Sequence, residues 1–106
     1  MDCVKLYLKD NLIGVLTFDN KQNQYVFIKN KFFNNKYIES VIGLNNEDEV
    51  YYSPNLFSFF LYFLKKYGSN DFVDEYEELV RIASLEFDKN QFWLGAWLWE
   101  LELVRY

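Results

Sequence analysis

An α+β fold is what this sequence predicts: an antiparallel β-meander packed against two α-helices, with a C-terminal strand. Three observations carry it. Apolar residues alternate with period two through the first third. A wide helical stripe of phenylalanine and leucine fills the middle, and a second alternation closes the chain.

The first strand is read from Val4, Leu6 and Leu8 alternating with Lys5, Tyr7 and Lys9, which sets one apolar face on a sheet. Lys9-Asp10-Asn11 is turn chemistry, because Asp and Asn tolerate left-handed backbone and bond to their own turn. A second strand follows through Leu12 to Phe18, and its Gly14 marks either a bulge or a close backbone approach. After the polar loop Asp19 to Gln24, Tyr25-Val26-Phe27-Ile28 is a third strand. Tyr37 to Ile42 is expected to add a fourth.

Ser53-Pro54 reads as a helix start, since Ser can cap and Pro at the first position loses no needed donor. The helix is expected to run from Pro54 to about Tyr67 and to stop at a left-handed Gly68. Leu56, Phe57, Phe59, Phe60, Leu61, Phe63, Leu64 and Tyr67 span roughly 200° of its circumference, wider than one sheet contact needs. The helix is therefore expected to be covered on two sides, by the sheet and by the next helix. That second helix is read over Asp71 to Ser84, capped near Ser69 or Asn70. Phe72, Tyr76, Leu79, Val80 and Ala83 form its inner stripe, with Asp74, Glu75, Glu78 and Arg81 on its outer side. Trp97, Trp99, Leu101 and Leu103 alternate with Leu98, Glu100, Glu102 and Val104, predicting a last strand from about Ala96 to Arg105 after a short helical or turn segment.

With no repeats and no low-complexity linker, residues 1–106 are expected to form a single domain. The one thiol, Cys3, has no partner in the chain, which fits a reducing cytoplasm. The start Met1-Asp2-Cys3-Val4-Lys5 has no secretory pattern, and the apolar run Phe59 to Leu64 is far too short to cross a bilayer. Residues 1–69 carry eight lysines and seven acids, whereas residues 70–106 carry nine acids and three basic residues, so the net charge of −5 belongs to the C-terminal third. Such a surface repels nucleic acid and anionic lipid and attracts a basic partner; it also serves plain solubility.

Aromatic residues make up 22% of the chain, yet histidine is absent. Without histidine and with one cysteine, Ser-His-Asp, Cys-His and the usual zinc sites cannot be built, and the four glycines are too dispersed for a phosphate loop. No cofactor is expected. Paired carboxylates at Glu47-Asp48-Glu49 or in the 74–78 cluster are the remaining route to an enzyme, and both read as solvated acids. Tyr25, Phe27 and Phe33 among Lys29, Lys31 and Lys36 have the makings of a stacking platform for nucleic acid, but the overall charge opposes it and strand aromatics belong to cores. Trp93, Trp97 and Trp99 cannot all face one way on a strand and turn, so an exposed aromatic anchor rimmed by Glu100 and Glu102 is expected, against the alternative that all three are core.

The opening Val4 to Leu16, followed by Tyr25-Val26-Phe27, resembles the N-terminal subdomain of HipA-type toxin kinases, which begins with a strand, a turn and a second strand carrying Gly at this place. Phe59-Phe60 with Leu64 is similar to the Phe-Phe of that family's later helix. Arg81-Ile82-Ala83 and Asp88-Lys89-Asn90-Gln91-Phe92 are loosely similar to the region after it. Lys65-Lys66-Tyr67-Gly68 stands where that family has Pro-Glu-Gly, and the sequence contains no kinase domain. The resemblance implies a free-standing antitoxin of the HipS kind, docking on a separate toxin kinase. An acidic, aromatic-rich immunity protein against a basic nuclease toxin is the competing reading, and a structural subunit or carboxylate enzyme a more remote one. All the favoured readings make the chain a cytoplasmic, non-catalytic protein that blocks a toxin by stoichiometric binding, with no direct contact to nucleic acid or membrane. The contact is expected at Asp74, Glu75, Glu78, Trp93, Trp97, Trp99, Glu100 and Glu102.

Overall fold

The computed structural model describes residues 3–8, 11–44, 48–71, 73–86 and 91–93. Strands β1 (Val4–Leu8), β2 (Asn11–Asp19), β3 (Gln24–Lys29) and β4 (Val50–Ser53) form an antiparallel meander. Helix α1 (Lys36–Ile42) lies between β3 and β4, and α2 (Ser58–Tyr67) and α3 (Glu75–Glu86) follow. A short strand β5 (Gln91–Trp93) then pairs parallel with β1, giving the sheet order β4-β3-β2-β1-β5.

Alternation sets the faces. Val4, Leu6, Leu16, Tyr25, Phe27 and Tyr51 are buried on the side that meets the helices, and they share one core with Phe59, Phe60, Phe63 and Leu64 of α2 and Leu79, Ile82 and Ala83 of α3. Phe27 sits at its centre, its ring 6.0 Å from Phe57 and 6.1 Å from Phe60. Each such buried phenylalanine contributes on the order of 2–3 kcal/mol by leaving water. The α2 stripe packs on the sheet and on α3, as expected, and on α1 as well.

Gly14 is a close approach beside a bulge. The β1–β2 register shifts between Leu6 and Tyr7, and a Cβ on Gly14 would lie 2.5 Å from the Phe27 ring and 2.6 Å from the Ile28 carbonyl.

Four expectations are corrected. Tyr37 to Ile42 is helical, so three helices stand where two are expected. Asn35 starts α1, its Oδ1 accepting from the Ile38 N–H while Glu39 Oε2 accepts from the Asn35 N–H. The chain leaves α1 through Gly43 at φ 107, the left-handed ending expected of Gly68. Gly68 instead is extended, and glycine fits there because a Cβ would meet the Leu64 carbonyl at 2.4 Å. Helix α2 begins at Ser58 rather than Pro54, because Ser53 still pairs with Tyr25 in the sheet and its Oγ accepts from the Asn55 N–H. Finally, α3 begins four residues later than Asp71. Its cap is Asp74, whose Oδ1 accepts from the Tyr76 and Glu77 N–H groups, while Ser69 binds Asp71 and, through its N–H, Glu78. The strand expected over 96–105 lies outside the described residues, and strand is found at Gln91–Trp93, where a helical or turn segment is expected.

Candidate protein-binding surface

The acidic face expected on α3 is spent largely inside the molecule. Asp74 is exposed but caps its own helix. Glu75 is half-buried and accepts a hydrogen bond from the Tyr25 hydroxyl at 2.9 Å. Burial, then that hydrogen bond and the neighbouring Glu75 and Asp74 charges, raise the Tyr25 pKa well above its ordinary 10.0. Glu78 is buried, which overturns its place on the outer side. Arg81 donates to it through Nε at 2.7 Å and Nη2 at 2.8 Å, and the Ser69 N–H adds a third donor. The paired guanidinium first, then the Ser69 N–H, hold its carboxyl down to about 2. The reason is geometric: positions 75, 78, 79, 82 and 83 lie three and four apart and share the side turned to the sheet and α2, so Glu78 is carried inward beside Leu79. Among the described side chains of α3, Glu77 is the acid left pointing to water.

Of the expected tryptophan anchor, Trp93 has its backbone in β5, paired with Tyr7, and its side chain lies outside the described set. Trp97, Trp99, Glu100 and Glu102 lie outside the described residues altogether. Glu47 does too, while Asp48 and Glu49 are exposed at the head of β4. Among the described residues no cluster of acids and cysteine is placed to hold a metal ion, and no helix is long and apolar enough to cross a membrane.

Tyr25 and Phe27 belong to the core, and Phe33 is half-buried with its carbonyl accepting from Lys29 Nζ. Lys29 also faces the buried Glu39 at 3.7 Å, so this lysine serves the fold. The exposed ring of the segment is Phe32, beside a cleft of about 440 Å³ walled by Asn11, Asn30, Asn34 and Asn35.

The apolar surface stands elsewhere, on the far face of the sheet. There Val26 pairs with Tyr52 and Ile28 with Val50, and beside them lie the half-buried Val15 and Thr17. Ile28 is 47% exposed, Val50 37% and Tyr52 63%. These three side chains make a contiguous apolar stripe in water, the kind of surface a second molecule can cover. Sequence reasoning passed over them, although one signal was available. Strand β3 is apolar at all four of Tyr25, Val26, Phe27 and Ile28, whereas a strand with one wet face alternates with polar residues.

No protein-family model matches the chain, and no curated protein and no solved structure is similar to it.

Proposed function

We propose that this protein neutralises a toxin by binding it one-to-one and covering its active or substrate-binding site. The observation that carries the reading is the uncovered stripe of Ile28, Val50 and Tyr52 on a sheet whose other face is sealed by three helices. A rigid sheet presenting apolar side chains is a preorganised docking surface, which lowers the ordering cost of association. The resemblance of Val4 to Leu16, and of Phe59-Phe60 with Leu64, to the HipA-type subdomain favours a kinase toxin as the partner. The net charge of −5 favours the second reading, immunity to a basic nuclease, because opposite charge speeds encounter with such an enzyme.

The test is co-expression with the product of the adjacent open reading frame. Restored growth and a one-to-one complex in light scattering are expected, and both should be lost with Ile28→Lys. The enzymatic activity of that product, kinase or nuclease, decides between the two readings. Failure to restore growth, or substrate turnover by the isolated chain, rejects the proposal.

A further inference from the structure

We infer that the partner engages this chain by adding a strand to the free edge of β4, through an extended, alternately apolar segment ending in a basic residue. The inference rests on the reading of the chain as a binding protein and names how it binds.

Among the described residues strand β4 is an edge, hydrogen-bonded to β3 alone. The register shows which of its backbone groups are left over. The Lys29 N–H donates to the Glu49 carbonyl at 2.7 Å, so Glu49 and, alternating with it, Tyr51 and Ser53 turn their N–H and C=O groups toward β3. The backbone groups of Val50 and Tyr52 therefore point away from the sheet. They offer two donors and two acceptors in the spacing of a strand. Edges are commonly blunted by shortness, a lysine, a proline or an inward charge; Val50-Tyr51-Tyr52-Ser53 is short but has no lysine, proline or inward charge, and Pro54 comes only after the last paired residue.

The surroundings fit an added strand on both sides. On the outer face its side chains would lie beside Val50 and Tyr52, which are already exposed. On the inner side its alternate residues would meet a groove of about 360 Å³ lined by Gly43, Tyr51, Leu56, Phe57 and Ser58. Backbone bonds then supply affinity and the two rows of side chains supply selectivity.

Charge chooses the occupant. Asp48 and Glu49 are exposed at the head of β4. Residues 50–57 of a second copy carry no basic side chain to meet them, whereas a segment with a terminal lysine or arginine meets opposite charge there.

The probe is a capped heptapeptide of alternating valine and threonine with a lysine at each end, titrated to 1 mM into the isotope-labelled full chain. Amide hydrogen exchange is followed by nuclear magnetic resonance. Slowing of at least tenfold is expected at Val50 and Tyr52, with Tyr51 and Ser53 unchanged. The same peptide with glutamates at its ends should bind at least tenfold more weakly, and an alternately N-methylated version should not protect these amides. Val50→Pro, which removes an outward donor and no ladder bond, should abolish the protection while circular dichroism stays unchanged; Tyr52→Lys gives a second check that keeps the backbone intact. No protection at 1 mM, equal protection by the N-methylated peptide, or protection that rises with protein concentration alone (a second copy) would each overturn the inference. Growth rescue that survives Val50→Pro would also overturn it while leaving toxin neutralisation standing, whereas absent rescue with intact peptide protection sinks only the toxin reading.

Discussion

The two faces of strand β3 carry similar side chains to opposite ends. Tyr25 and Phe27 point into a core where they are almost fully sealed; Val26 and Ile28, their neighbours in sequence, look outward, and Ile28 keeps nearly half its surface in water. Hydrophobicity is therefore not what separates core from surface here. Cover is. One face has three helices laid on it, and the other has been given apolar residues without a lid of comparable extent at β3 and β4.

The contrast can be broken from either side. Phe60→Ala empties the sealed face next to Phe27 and Phe59 and should cost about 3–5 kcal/mol, read as a lowered denaturation midpoint at unchanged slope. Glu39→Gln comes next. It leaves the half-buried Lys29 ammonium without its counter-charge, though still bonded to the Phe33 carbonyl, and should cost about 2 kcal/mol, measured by urea unfolding. Glu78→Gln is expected to cost about 1–2 kcal/mol, a figure already reduced because Arg81 stands half in water, where solvent screens the pair. Its signature is in pH. Glu78 has a folded pKa of about 2 against 4.5 when free, so its contribution is complete above pH 4.5 and is lost as pH falls toward 2. The wild type should therefore lose stability across that window and Glu78→Gln should lose less. The buried hydroxyl of Tyr25 works in the opposite direction. Its raised pKa favours the folded chain below the ordinary 10.0, and that advantage fades as pH climbs above it, so Tyr25→Phe should flatten the alkaline decline in thermal midpoint. Smallest of all on stability, Ile28→Lys and Tyr52→Lys should change the unfolding free energy by no more than about 0.5 kcal/mol while removing growth rescue. If these two unfold the protein instead, the outer face is core and the contrast is lost.

Elements with a strong period were legible in the sequence. Strands β1 to β3 and the phenylalanine face of α2 follow from alternation and from helical spacing, and Gly14 was readable as a close approach because glycine inside an apolar strand has few other reasons to be there. Tyr37 to Ile42 was misread because seven residues with Tyr, Ile and Val satisfy strand propensity. What makes them a helix is the reciprocal bonding of Asn35 and Glu39, a side-chain device that propensity does not register. The site was less legible than the fold. A carboxylate on a helix is exposed by default, and only the partner reveals otherwise: Arg81 turned Glu78 inward, and Tyr25, fifty residues away, claimed Glu75. Likewise nothing local in Val50-Tyr51-Tyr52 says that the strand is last in its row; that is a property of order in the sheet.

The Ser58 hydroxyl donates to the carbonyls of Val41 and Ile42, fastening the first residue of α2 to the final turn of α1 just where Gly43 swings the chain away. This clasp thus sits at the root of the segment that carries β4 to the sheet, while Tyr51, Leu56 and Phe57 tie that segment into the core. Lengthening the link between Gly43 and β4 costs little loop-closure entropy and leaves both anchors untouched. Selection can then vary the length of that link while the architecture that carries β4 stays the same.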